Sequence, residues 1–259
     1  MNRQPAVAGS FYPANPIELR HLLGTYLSQA ESHHPAPKAI IAPHAGYIYS
    51  GPIAATAYAR LAAVRNTIKR VVLIGPSHRV AFQGLALSDA QHFVTPLGEI
   101  AIDAEAMTTL SDLDFVGYLE QAHAMEHSLE VHLPFLQTVL ANFKLVPIVA
   151  GDASPEQVSQ VLERLWGGDE TLIVISSDLS HYHAYAEAKR LDQDTSQHIE
   201  HLQYEALSSK AACGKVPVAG LLKLLRDKAL SIKTIDLRNS GDTAGDKQRV
   251  VGYGAYVVE

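Results

Sequence analysis

The chain has 259 residues, 47% hydrophobic and 19% charged, with a formal net charge of -6. That length and composition suit one large α/β domain over residues 1–259, and the acidic balance argues against a nucleic-acid footprint, which needs a basic patch. One cysteine, Cys213, excludes an internal disulfide and any multi-cysteine metal site, whereas histidine is abundant at 13.

The opening "MNRQPAVAGSFYP" lacks an apolar signal core, and no segment approaches the roughly 20 apolar residues that span a membrane, so a cytoplasmic protein is expected. Asn15, Pro16 and Glu18 read as a helix start, followed by Leu19, Leu22, Leu23, Tyr26 and Leu27 on one face. His33 and His34, in a Pro-flanked loop, read as surface residues. "KAIIAP" is a buried strand and "PIAATAYARLAAV" the helix after it. "IKRVVLIGPSH" is a second buried strand with a terminal loop, and "GLALS" and "GEIAI" are shorter strands. "MEHSLEVHLPFLQTVL" has helical period with Leu129, Leu133, Leu136 and Leu140 aligned, and Pro134 should kink it or start a new helix. "KLVPIVAG" is a strand, and Ser154, Pro155 and Gln157 start the next helix. "TLIVISSD" is the third long buried strand. The helix "VPVAGLLKLLRDKAL" precedes two final strands, "SIKTIDLRN" and "RVVGYGAYVV", which a turn-rich loop can join as an antiparallel pair. Alternating helices and strands that are apolar on both faces indicate an α/β fold: a mixed, mostly parallel sheet with helices on both faces.

Ligands in open α/β sheets bind beyond the carboxyl ends of the strands. Three strands here end in ionisable groups: His44, His78, and Asp178 with His181 and His183. A lone strand-end histidine is ordinarily a hydrogen-bonded loop residue. Three such ends point as much to one shared site, and two histidines with a carboxylate suit non-haem iron or zinc. Other candidates are weaker. Glu126 and Glu130 stand at i,i+4, which calls for a cationic or donating group between them, though a solvated helix face accounts for them equally well. Cys213 reads as a small buried or turn residue. Ser77, Ser176 and Ser177 lie in no nucleophile elbow. "GYGAY" has no helix after it and is no phosphate loop.

The blocks "RQPAVAGSFYP", "APHAGYIYSGPIAATAY", "IGPSH", "EHSLEVHLPFL", "SSDLSHY", "CGKVP", "NSGD" and "VGYGAYVV" together resemble the Memo family along nearly the whole chain. The resemblance implies a fold like that of the class III extradiol dioxygenases of the protocatechuate 4,5-dioxygenase β-subunit type. Those enzymes hold ferrous iron with two histidines and a glutamate and use a further histidine as acid–base. Carried over by motif, His44 and His78 are the metal histidines and His181 the acid–base, with Asp178 beside it. Animal relatives carry a cysteine in the loop before the last strand. Here that loop reads "NSGDTAGDK", so Asp242 is the nearest ligand-competent residue and Asp246 the second, while Cys213 belongs to another block and is not expected to substitute.

The leading expectation is a metal-binding, extradiol-dioxygenase-like protein, an oxidoreductase if it turns over, with Fe(II) ahead of copper or zinc. The alternatives are a module that binds a peptide or partner in an inherited pocket, and a zinc-type hydrolase. The resemblance further implies phosphotyrosine-segment binding in animal signalling, and association with a radical SAM protein and an AMMECR-type protein in prokaryotes. A small-molecule or peptide ligand is thus expected, with no nucleic acid or membrane partner.

Overall fold

Consecutive residues of the long apolar strands are buried without alternation, the mark of a sheet covered on both faces. A computed structural model of the chain describes residues 1–31, 35–208 and 210–258; His33 and His34 lie outside them. In chain order the strands are β1 (Asn2–Arg3), β2 (Ala39–Ala42), β3 (Arg70–Pro76), β4 (Leu85–Leu87), β5 (His92–Thr95), β6 (Gly98–Ala101), β7 (Val116–Tyr118), β8 (Lys144–Ala150), β9 (Thr171–Ser176), β10 (His181–His183), β11 (Ile232–Asn239) and β12 (Val250–Val258). The helices are α1 (Pro16–Ser28), α2 (Tyr47–Ala59), α3 (Ala104–Thr108), α4 (Glu120–Ala124), α5 (Leu133–Val139), α6 (Pro155–Leu165), α7 (Tyr185–Glu200) and α8 (Lys215–Asp227).

The main sheet runs β10-β12-β2-β9-β3-β8-β4-β7, with β11 on the other side of β12. Its centre, β2-β9-β3-β8, is parallel, and β4 and β12 flank it antiparallel. β11 and β12 form the antiparallel pair that the turn-rich loop suggests. A small sheet, β1-β5-β6, stands apart. One continuous hydrophobic cluster takes in residues of both sheets and of the helices packed on them. The fold is therefore α/β with a mixed sheet, as expected from the sequence, and no described helix is long and apolar enough to cross a membrane.

Local signals were kept where partners are near in sequence. Asn15 caps α1 by accepting from the N–H groups of Ile17 and Glu18, and Ser154 and Gln157 form a reciprocal capping box on α6. Pro134 starts a new helix: Glu130–His132 is a 3₁₀ turn and α5 follows with Pro134 in its first turn. Where partners are distant the expectation shifts. α2 begins at Tyr47, five residues before Pro52, because the Tyr47 N–H is taken by the carbonyl of Phe11, 2.8 Å away in the amino-terminal segment.

Candidate metal centre

The parallel register of β2, β9 and β3 sends three strand ends to one edge, with β9 in the middle. His44 follows β2, His78 follows β3, and Ser176 closes β9 ahead of Asp178. The turn before α8 then brings in Cys213, whose N–H donates to the Asp178 carbonyl at 3.3 Å. Gly214 makes this approach feasible: a side chain there would meet the Ser176 carbonyl at 2.4 Å.

His44 is buried. Its backbone N–H donates to Asp178 Oδ1 at 2.7 Å, and its ring nitrogens face Ser176 Oγ at 2.6 Å (Nδ1) and Cys213 Sγ at 3.3 Å (Nε2). Ser176 Oγ donates to the Ser128 carbonyl at 2.6 Å and lies 2.9 Å from Nε2 of His132, whose Nδ1 is 2.8 Å from the Tyr58 hydroxyl. On the opposite wall, Glu126 accepts from the backbone N–H of His78 at 2.6 Å and faces its Nδ1 at 2.9 Å. His127 stacks on His78 with ring centroids 4.5 Å apart. One ligating atom from each of His44, His78 and Cys213 lies within 4.8 Å of the others. His78, Glu126 and His127 form a second such group. There the Glu126 oxygens also accept from the N–H groups of His78, His127 and Ser128, so that carboxylate orients the segments around it.

Burial governs the protonation states. It holds His44 well below the ordinary histidine value, reinforced by His78, His127, His132 and His181. It brings His127 down to about 4 and His132 to about 3. Burial raises Asp178 to about 7 against the opposing hydrogen bond from His44, and with the Asp178 charge it pushes the Cys213 thiol up. For Glu126 burial acts upward, but the ring and backbone hydrogen bonds of His78 outweigh it and hold the carboxyl at about 2. His181, on β10, points its Nδ1 at the Leu179 carbonyl at 2.8 Å, and burial lowers its pKa. The next residue, Tyr182, takes a left-handed backbone with φ 63°. A cavity of about 540 Å³ opens beside Cys213, with Ser77, Val80, Phe82 and Asp152 in its wall.

His44, His78, Asp178 and His181 thus gather at one end of one sheet. Asp242 does not join them. Its carboxylate accepts from the Tyr185 hydroxyl at 2.7 Å and, as the return arm of a capping box, from the Asn239 N–H at 3.0 Å. It lines a separate cavity with Lys189 and Arg238. Asp246 accepts from the N–H groups of Gln248 and Arg249 in its own turn. Cys213, which the sequence set aside, takes the place beside His44. The view of Glu126 and Glu130 as an exposed face also gives way, since both are buried. Arg3 supplies a cation to Glu130, donating to its Oε2 at 2.7 Å and to the backbone carbonyl of residue 126 at 2.6 Å, while the Glu126 carboxylate is served by His78. The Ser128–Ser176–His132–Tyr58 chain had no signal in the sequence beyond the residue types.

The donor set fits a metal ion on chemical grounds: two imidazoles and one thiol converge on one point, and a coordinating thiol loses its proton to the ion. A family model described as Memo-like protein matches residues 3–257. A MEMO1 family protein of Aquifex aeolicus is 37% identical, covering 97% of each chain. Those of Sulfolobus acidocaldarius and Archaeoglobus fulgidus are 36% and 34% identical, each over 98% of both chains.

Proposed function

Since the chain belongs to the Memo family, we propose that it is a metal-binding protein holding its ion with His44, His78 and Cys213, on a fold of the class III extradiol dioxygenase kind. The observation that carries this reading is the convergence of these three donors at the ends of β2 and β3 and the start of α8. A thiolate is a softer ligand than the carboxylate expected from the sequence, which moves the preference from Fe(II) toward copper or zinc. When bound, such an ion supplies a Lewis acid and, if redox-active, an electron-transfer centre.

The chain's own residues divide the remaining work. The His181 ring is anchored by Nδ1–H on the Leu179 carbonyl, which leaves Nε2 to take or give a proton at the site. Asp178 fixes the His44 backbone through its Oδ1 and, with a pKa near neutrality, is the second proton carrier. A second reading, a docking module for a peptide or small molecule, is favoured by the exposed side chains of Ile48, Tyr49 and Tyr182.

The test is anaerobic loading with Fe(II), Zn(II) or Cu(I) followed by elemental analysis of wild type, His78→Ala and His181→Ala. Wild type and His181→Ala should retain an equimolar ion, and His78→Ala should lose it. Equal loss in both variants would place His181 among the ligands. Metal-free protein in all three leaves the docking module as the function.

A further inference from the structure

Ser176 occupies the one point where the two buried histidines of the site's interior meet. Its hydroxyl oxygen is 2.6 Å from the Ser128 carbonyl, 2.6 Å from His44 Nδ1 and 2.9 Å from His132 Nε2. Ser176, Ser128, His44 and His132 are all buried, so no water substitutes for a missing partner. A serine hydroxyl has a single proton, and a carbonyl oxygen has none. Two oxygens 2.6 Å apart need a proton between them, so the Ser176 proton lies on the line to Ser128. Its oxygen then offers only lone pairs to the two rings, and each ring must donate to it. His132 therefore carries its proton on Nε2. Its bare Nδ1 accepts from the Tyr58 hydroxyl at 2.8 Å, which closes the chain with every group satisfied. His44 carries its proton on Nδ1, and its bare Nε2 faces Cys213 Sγ.

Resting on the reading of His44 as a ligand, we propose that Ser176, backed by His132 and Tyr58, is a positioning residue that sets the tautomer and plane of His44 so that Nε2 is presented to the ion. The alternative, with the Ser176 proton given to either ring, leaves two bare oxygens at 2.6 Å in a buried site. Glu126 does the same for His78 from the other wall: a carboxylate only accepts, so the His78 proton sits on Nδ1 and Nε2 faces the ion. The two ligand rings are thus locked by different chemistries. A charged acceptor holds the partly exposed one, and a neutral hydroxyl, which adds no charge to a buried wall, holds the other. Neither lock changes the net protonation of the rings.

The experiment is long-range ¹H–¹⁵N correlation of the histidine ring nitrogens in metal-free, full-length protein, with assignments from His44→Gln and His132→Gln. Wild type should show His44 protonated at Nδ1 and His132 at Nε2. Ser176→Ala should let the His44 signals average between tautomers and should weaken Zn(II) binding, by chelator competition, about 10- to 100-fold. Ser176→Thr, which keeps the hydroxyl, should restore both. An Nε2-protonated His44 in wild type overturns the proposal, and this needs no Ser176 variant to fold. So does Ser176→Ala that keeps the wild-type tautomer and Zn(II) affinity. If the tautomers are as stated but wild type binds no metal, the positioning role stands and the ligand reading fails.

Discussion

Cys213 Sγ stands 3.3 Å from His44 Nε2, across 169 residues of chain. The contact joins the turn before α8 to the end of β2. It puts the chain's one cysteine beside His44, where it completes the donor group of His44 and His78.

From this contact, Cys213→Ser should reduce Zn(II) or Cu(I) affinity by at least about 10- to 100-fold, because a hydroxyl replaces the soft donor. Asp242→Asn should leave affinity unchanged, since that carboxylate serves Tyr185 and Asn239. Chelator competition on both variants checks this, and the reverse pattern would return the third-ligand role to Asp242.

Glu126→Gln should weaken metal binding by about 10- to 100-fold with little loss of folded protein. A glutamine oxygen can still accept from one N–H group, but the charge that holds the His78 ring is gone. Metal affinity and circular dichroism measured together separate the two effects.

Asp178 and His132 should drive stability in opposite directions with pH. Folded Asp178 keeps its proton up to about 7 whereas the unfolded carboxyl loses it near 3.8, so its contribution falls as pH rises through that window. Folded His132 stays neutral down to about 3 whereas the unfolded ring protonates below 6.5, so its contribution grows as pH rises. Urea midpoints between roughly pH 4 and 6.5 should therefore show Asp178→Asn gaining stability with pH more steeply than wild type, by about 1.4 kcal/mol per pH unit. His132→Gln should be shallower by a similar amount. Parallel curves for all three proteins would reject the assignment.

Arg3→Met should cost about 3–5 kcal/mol, because it leaves a buried glutamate without its cation. Glu130 also accepts from the N–H groups of Ala6 and Val7 and from the Tyr12 hydroxyl, so four residues of the amino-terminal segment bond to that one carboxylate. The double variant Arg3→Met/Glu130→Gln should recover part of the loss in denaturant titrations. A single-variant cost under about 1 kcal/mol would mean the pair behaves like a surface ion pair.

The parallel core could be read because β2 and the interiors of β3 and β9 are apolar at consecutive positions, and their ends named His44, His78 and Asp178. What escaped depends on distant partners. Cys213 reaches His44 only because Gly214 lets the turn pass close to the Ser176 carbonyl. Glu126 and Glu130 looked like a polar face because their partners, His78 and Arg3, stand 48 and 127 residues away. α7 was invisible to apolar periodicity because its buried positions are Ala188, Asp192, Thr195, Ser196 and Ile199, mostly small or polar. The same polarity gives it partners: Asp192 accepts from the Ser180 N–H, and Ser196 pairs with the Tyr256 hydroxyl.

β2 lies between β9 and β12, so both its neighbours are synthesised long after it. The strand that carries His44 must wait, with both edges open, until residues 171–176 and then 250–258 arrive. Such distant pairings fold slowly, since loop closure precedes any gain from contact. The order of assembly is therefore built into the topology. His44 and His78 are made early, Cys213 joins after β9, and the closing strand seals the sheet last. A growing chain that has not reached that strand has an incomplete sheet around His44 and His78, which delays the finished candidate site until residues 250–258 have been made.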